Sequence, residues 1–468
     1  MNILFINPPA VKNKKFMRLI DCSHEAKGDY LWQPNDFMII SSYLSSLDNA
    51  ILIDGTADEL SNEDFMEEIL NTKNKNIDVI FFATGSSCYL EDLKHFEKIR
   101  EIFYEKTICV LGDIFLEKNF RKEIISKGAD AIIFQPFNLE FNELISLREK
   151  IINKKEISLQ SVITDPETHP FFSKQKKLSM VANGIPRHEL FKKKYSWPFL
   201  TTKNFTTLTT MWGCTYSCSY CPDGVMHPYS RTNEVIIDEI KHIKKLGFKE
   251  IQLFDKVFGV PKEERIQLLK HLIKNNLTLP FSCYFHPSMY DPEFLELMKK
   301  AKCHTIIIGI DTADLKSLAI YRRKVSEKTL SKLIEHANIL KINICADFII
   351  GLPHENEKDI RNTIAYSKKI DIDFASFNIA TALPGSSFRR DAIAQGKMKE
   401  SHLDETLHTK FSSSSLSAEK LIELRRGANF TFYFRPKMIL RRLLRLKSIE
   451  HFFIQFSQMV GIISNNWK

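Results

Sequence analysis

Met211-Trp-Gly-Cys-Thr-Tyr-Ser-Cys-Ser-Tyr-Cys-Pro222 brings three cysteines, Cys214, Cys218 and Cys221, into one short stretch. Three thiolates at this spacing suit a [4Fe-4S] cluster, and three ligands on four irons leave one iron open. An open iron can hold a small chelating molecule and pass it an electron, which a four-cysteine electron carrier cannot do. The triplet therefore reads as catalytic. A zinc knuckle would need a fourth ligand at a short offset, for which His227 is the nearby candidate. A disulfide would need a secretory context that the sequence does not offer.

Working outward, strands are predicted at 205–212, 250–256, 279–285, 304–311, 344–351 and 374–380, with helices at 234–246, 262–276, 291–302, 326–340 and 356–370. The cysteine loop then follows the first of six strand–helix repeats, too few for an eight-fold barrel. Residues 1–150 also alternate short apolar strands (2–6, 50–54, 78–83, 107–111, 131–134) with helical patterns. Continuous apolar strands between amphipathic helices indicate a parallel sheet covered on both faces, a doubly wound domain. Such sheets bind ligands beyond their carboxyl ends, which here carry Asn7-Pro-Pro, Asp54-Gly-Thr, Thr84-Gly-Ser86-Ser87, Gly112-Asp and Gln135-Pro. Residues 151–200 are proline-dotted and Lys-rich and read as a linker draped over the next domain. Residues 201–385 form the second domain, and 386–468 a helical, basic extension.

The spacing C-x3-C-x2-C resembles the signature of the radical S-adenosylmethionine (radical SAM) enzymes. That resemblance implies a partial (βα)6 TIM-like barrel, with SAM held at the open iron and cleaved to a 5′-deoxyadenosyl radical by an electron from a donor such as flavodoxin or ferredoxin. It places Tyr220 beside adenine. Asp311 in Gly309-Ile-Asp-Thr stands where relatives usually carry Glu, in reach of ribose hydroxyls or the methionyl ammonium. Gly351, Leu352 and Pro353, followed by His354-Glu355, resemble the family's Gly-Leu-Pro-x-Glu, in which the glycine admits the adenosyl group and the leucine packs on adenine. Asp255 and His286, at the ends of the second and third strands, are further candidates for SAM or substrate, and one of Arg322, Arg323 and Lys324 for the methionyl carboxylate. A lone His or a Gly-Leu-Pro turn is an ordinary structural feature, so these readings lean on the cysteines.

The opening Asn7-Pro-Pro, Asp54-Gly-Thr, the barrel, Pro384-Gly385 and the closing Phe432-Tyr-Phe-Arg-Pro436 resemble the radical SAM class with an N-terminal cobalamin-binding-like Rossmann domain. That class includes carbon methyltransferases and an oxygen-independent ring cyclase. The resemblance implies cobalamin between the domains, with Ser86 and Ser87 placed to hydrogen-bond its nucleotide tail. Three features depart from it: no Asp-x-His-x-x-Gly follows the first strand, Gly112-Asp113 replaces a Gly-Gly pair, and Gln135-Pro-Phe-Asn-Leu-Glu140 replaces Gly-Glu-Gly-Glu. A cobalamin-free radical cyclase or oxidoreductase is the alternative. A tRNA methylthiotransferase would need Cys22, Cys88 and Cys109 to hold a second cluster, and a non-enzymatic descendant would have no use for a cosubstrate pocket.

The 468 residues, 44% hydrophobic and 26% charged, are ordinary for a globular chain of two domains and an appendage. The first residues lack a signal-peptide pattern, no apolar run approaches the roughly 18 residues that span a bilayer, and a reducing cytoplasm suits the cluster. A spread net charge of +9 does not argue for nucleic acid. Phe434–Lys447 carries six basic and no acidic side chains. It reads as a docked helix with solvated basic teeth, or as a peripheral membrane contact. The substrate is expected to be small or lipid-like.

Overall fold

The computed structural model describes residues 1–12, 14–26, 30–137, 139–153, 162–164, 178–224, 226–315, 317–323, 325–401, 403 and 415–467. Much of the expected linker, Lys324, and part of the C-terminal extension lie outside these residues.

The first sheet contains β1 (Asn2–Asn7), β2 (Asn49–Asp54), β3 (Val79–Ala83), β4 (Thr107–Leu111), β5 (Ala131–Ile133) and β6 (Val162–Ile163) in the order β2-β1-β3-β4-β5-β6. The first five are parallel and β6 is antiparallel to β5. Strands β3, β4 and β5 are buried along their whole length, as a sheet covered on both faces requires. Helices α1 (Asn35–Ser41), α2 (Asn62–Thr72), α3 (Tyr89–Ile102), α4 (Lys118–Ser126), α5 (Phe141–Ile145) and α6 (Leu147–Ile152) complete this α/β domain. The sheet order turns at β1/β3, the switch point beyond which such folds place their ligands.

The second sheet runs in chain order, all parallel: β7 (Phe205–Leu208), β8 (Glu250–Leu253), β9 (Phe281–Tyr284), β10 (Cys303–Asp311), β11 (Asn343–Ile350) and β12 (Phe374–Ile379). Between them lie α7 (Asn233–Lys245), α8 (Lys262–Lys274), α9 (Pro292–Lys300), α10 (Glu327–Ile339) and α11 (Glu357–Lys369). This is the expected six-strand partial barrel, and the boundaries fall within a few residues of those read from periodicity. The expected first strand is split: β7 stops at Leu208, and Met211–Trp212 turns away to pair antiparallel with Tyr229–Arg231.

The stretch from 178 is more than a linker. Ser179–Val181 pairs with Tyr229–Arg231, and buried His188 lies between Thr206 of β7 and Glu239 of α7. Gln33 Nε2 donates to the Phe205 carbonyl, and the hydroxyls of Thr207 and Thr209 donate to Gln33 Oε1 and Asn35 Oδ1, which links the first domain to β7 and the residue after it. Trp32 and Trp197 pack edge to face at 4.5 Å between centroids, and the core of the first sheet runs on through them to Phe254, Ile307 and Cys345 of the barrel.

After α12 (Ser387–Ala394), three helices close the chain: α13 (Ala418–Tyr433), α14 (Pro436–Leu444) and α15 (Ile449–Trp467). The Tyr433 hydroxyl donates to the carbonyl of Ala375 at 2.7 Å and accepts its N–H, so α13 caps the free edge of β12. Of the expected solvated basic teeth of this extension, Lys437 and Lys447 are exposed but the arginines of α14 are not. Arg441 pairs with Asp371 and Asp373, Arg445 with Asp373, and Arg442 lies over the ring of Phe374, so these cations face the barrel.

Arg18 is fully buried. Its guanidinium pairs with Asp92 at 2.8 Å and donates to the carbonyls of Pro8 and Pro9 and to Thr56. Asp92→Ala would leave a buried guanidinium without its counter-charge. Chemical denaturation should show a loss of ~3–5 kcal/mol, the range for breaking a buried pair from one side.

Candidate active site

The cysteine loop is anchored at its base by Asp255. This fully buried carboxylate, next after Phe254 at the end of β8, accepts from the backbone N–H of Thr210 at 2.6 Å and of Met211 at 3.0 Å, and from the Thr210 hydroxyl. Those are the residues where the chain leaves β7, so Asp255 fixes the direction in which the loop departs. This corrects the expected role of Asp255 in binding SAM: its oxygens are engaged within the protein, while its burial pushes its pKa up. The loop's far side is held by Ser219, whose N–H donates to the Tyr321 carbonyl and whose carbonyl accepts from Phe388.

The three cysteines share this loop. Burial first, then Asp223, Cys214 and Cys218, push the Cys221 thiol well above its ordinary range, so the three sulfurs lie near enough to repel as thiolates. Arg323 hydrogen-bonds to Cys218 from the other side. Among the described residues no three donors converge on a single ion.

Tyr220 and Asp311, predicted separately, meet. The Tyr220 hydroxyl donates to Asp311 Oδ2 at 2.8 Å, and Arg323 Nε lies 2.9 Å from the same oxygen. Arg323 also donates to the Gly309 carbonyl at 2.7 Å, across a space that a Cβ on Gly309 would fill. Asp311 has φ +67°, a left-handed conformation for a non-glycine residue, beside a register shift in β10. Such strain is characteristic of functional positions. Leu352 is fully buried in one apolar cluster with Tyr321, Phe388 and the ring of Tyr220, so the two expected adenine contacts are neighbours. Pro353 is exposed at the turn.

Gly351 has φ +82°, and its N–H and that of Leu352 both donate to Glu355 Oε2. A Cβ here would lie 2.8 Å from a methyl of Leu421 on α13. The close approach seen at Gly351 is that of α13. Sequence reading quoted Glu355 in its motif without giving it this role.

His286 stacks on Tyr216 at 3.9 Å between centroids, with Nδ1 2.6 Å from the Ser288 hydroxyl. Its Nε2 is buried without a hydrogen-bond partner among the described residues. Burial, then Arg323, lower its pKa to about 3, so the ring is neutral at physiological pH. The stacking partner Tyr216 escaped sequence reading because no pattern marks a contact between two strand-end loops.

The carboxyl edges of the two sheets face one another. Lys256 forms an ion pair with Asp21 of the first domain and lies 4.0 Å from Asp223, two residues beyond Cys221. Phe137 packs on Trp212 and Tyr229, and the Tyr229 hydroxyl donates to Gln135. The facing edge of the first sheet is closed. Ser86 N–H and hydroxyl both donate to Asp113 at 2.7 Å, Ser87 N–H donates to the Ser23 hydroxyl, and its hydroxyl to the Ser23 carbonyl. A Cβ on Gly85 would lie 2.2 Å from that of Ser23. The donors that Ser86 and Ser87 were expected to offer a nucleotide tail are taken by Asp113 and Ser23 in this arrangement.

With this geometry, similarity to known proteins can be assessed. Residues 208–366 match the radical SAM superfamily. An uncharacterized methyltransferase of Pyrococcus horikoshii is 25% identical over 83% of this chain and 85% of its own length. A tRNA-2-methylthio-N(6)-dimethylallyladenosine synthase of Clostridium novyi is 28% identical over 44% of this chain, and the hopanoid C-2 methylase of Rhodopseudomonas palustris 23% over 57%. The chain spans about half the length of these last two, 46% and 51%. Among solved structures, the radical SAM methyltransferase TsrM of Kitasatospora setae, with cobalamin and a [4Fe-4S] cluster bound, superposes with a TM-score of 0.64 at 15% identity over 84% of this chain and 78% of its own. The cobalamin-dependent radical SAM enzyme OxsB does so at 0.63 and 13% identity, over 100% of this chain and 72% of its own. The barrel is a radical SAM domain, the chain that carries it is an enzyme, and its two-domain fold is the one found in these cobalamin-dependent enzymes.

The state of His286 gives a pH prediction. Its folded pKa lies below the ordinary 6.5, so the unfolded chain takes up the proton first as pH falls. The stability it contributes is full above about pH 6.5 and is lost as the medium becomes more acid. His286→Gln should therefore lose less melting temperature than wild type between about pH 6.5 and 4, measured by thermal unfolding.

Proposed function

We propose that this protein is a radical SAM enzyme that removes hydrogen from a carbon of a small or lipid-like metabolite and functionalises it, with methyl transfer as the reaction class. The observation that carries this reading is the meeting of Tyr220, Asp311 and Arg323 beside the cysteine loop. A structural cluster would need no strained carboxylate and paired cation next to it. When bound, a [4Fe-4S] cluster on Cys214, Cys218 and Cys221 supplies the electron that cleaves SAM to methionine and a 5′-deoxyadenosyl radical.

The chain's own groups divide the remaining work. Arg323 places positive charge between Cys218 and Asp311, where it can hold the carboxylate of a bound amino acid group. Leu352 and Tyr220 offer an apolar wall for a base, and the neutral His286 offers Nε2 to a polar group without adding charge. The first domain lies over the cysteine loop, with Lys256 bound to Asp21, and excludes water from a radical site. The electron is expected from a flavodoxin or ferredoxin.

Methyl transfer is supported by the relatives named as methyltransferases. The closed edge at Ser23, Ser86 and Asp113 favours a second reading, radical cyclisation or oxidation without cobalamin. In this arrangement Asp113 and Ser23 take the donors of Ser86 and Ser87 that would hold a cobalamin tail. The methylthiotransferase reading is not supported. Cys109 lies buried within β4, and the Cys88 thiol is engaged with Asp92.

Anaerobically reconstituted protein should hold about four irons per chain, and Cys218→Ala should hold far fewer while keeping its far-ultraviolet spectrum. An unchanged iron content would reject the cluster assignment. Equilibrium dialysis against hydroxocobalamin separates the two readings: saturable one-to-one binding supports methyl transfer, and no binding leaves the cobalamin-free reaction.

A further inference from the structure

Helix α14 is amphipathic with its polarity reversed. Its arginines and Arg445 just after it point inward: Arg441, Arg442 and Arg445 meet Asp371, Asp373 and Phe374 at the amino-terminal ends of the barrel strands. Gln455 donates to the Pro198 carbonyl, and Glu450 accepts from Lys203, so α15 is also docked by polar groups. The faces left outside are apolar. Leu440 and Leu444 on α14 project from one side, and Ile449, Phe453, Phe456 and Val460 lie three or four residues apart along α15. Leu444 is 77% and Ile449 71% exposed. Phe430 and Phe434 extend the patch as an exposed stacked pair, 4.6 Å between centroids.

A surface helix of a globular protein presents the opposite pattern, with apolar groups inward. A contiguous apolar face of this kind marks an interaction site rather than scattered exposed residues. The charge around it selects the occupant. Arg441, Arg442 and Arg445 are turned to the barrel, and among the described residues of this segment Lys437 and Lys447 are the exposed cations. Lys437 is exposed beside the patch. A second copy of the chain would bring the same cations against these, whereas an anionic lipid surface complements them. No helix among the described residues is long and apolar enough to cross a membrane, so the contact would lie in the interface plane.

We propose that α14 and α15 form a docking face for an anionic lipid surface. The face lies at the floor of the barrel, at the end opposite the cysteine loop, and holds the enzyme at a membrane. It does not depend on the reaction proposed above.

Full-length protein should co-sediment with vesicles mixing phosphatidylglycerol and phosphatidylcholine, and less with phosphatidylcholine alone. The combined variant Leu440→Glu, Leu444→Glu, Phe453→Glu should bind the mixed vesicles at least about tenfold more weakly, with unchanged iron content and melting temperature. These side chains are exposed, so the fold does not depend on them. Failure of wild type to bind anionic vesicles, or equal binding by the variant, would overturn the proposal. So would sedimentation velocity showing a wild-type dimer that the variant lacks, which would assign the face to a second copy of the chain.

Discussion

The arrangement of the site depends on Asp255 and Lys256, two neighbouring residues at the end of β8. Asp255 is buried and takes the backbone donors of Thr210 and Met211, so the chain must leave β7 at that point and cannot extend it. Lys256 faces the other way, to Asp21 of the first domain and toward Asp223 beyond the last cysteine. Burial opposes its charge, but Asp21 and Asp223 outweigh that cost and hold it protonated well above its ordinary range. One carboxylate aims the cysteine loop, and the adjacent ammonium fastens the first domain over it.

Around that anchor, polar groups of this chain occupy places that a ligand was expected to fill. Asp113 and Ser23 take up the donors of Ser86 and Ser87, and Arg18 is enclosed by Asp92, Pro8, Pro9 and Thr56. A buried donor or acceptor without a partner is costly, and these loops satisfy one another. By contrast, His286 Nε2 remains buried near Tyr216 without a partner among the described residues, and Asp311 is held in a strained conformation.

Much of this was legible in the sequence. Strand and helix periodicity located both sheets to within a few residues, because buried parallel strands and amphipathic helices each impose a local pattern. Cys214, Cys218, Cys221, Tyr220, Asp311 and Leu352 could be singled out because a spacing or a turn motif marks them, and the fold brings Tyr220 together with Asp311 and Leu352. Asp255, Ser86 and Ser87 were misread because a polar residue at a strand end looks the same whether it faces a ligand or its own backbone. The contact of Gly351 with Leu421, and the inward turn of Arg441 and Arg445, join residues far apart in the chain. Local pattern carries no information about them.

The central claim is that the cysteine loop and the neighbouring Asp311–Arg323 pair form a site for reductive cleavage of SAM. Chromatography of the products formed by anaerobically reconstituted protein with SAM and a strong reductant tests it most directly. Wild type should release 5′-deoxyadenosine and methionine, and Cys221→Ala should release neither. A wild-type protein with its full iron complement that leaves SAM intact, or a Cys221→Ala variant that cleaves it equally well, would contradict the account.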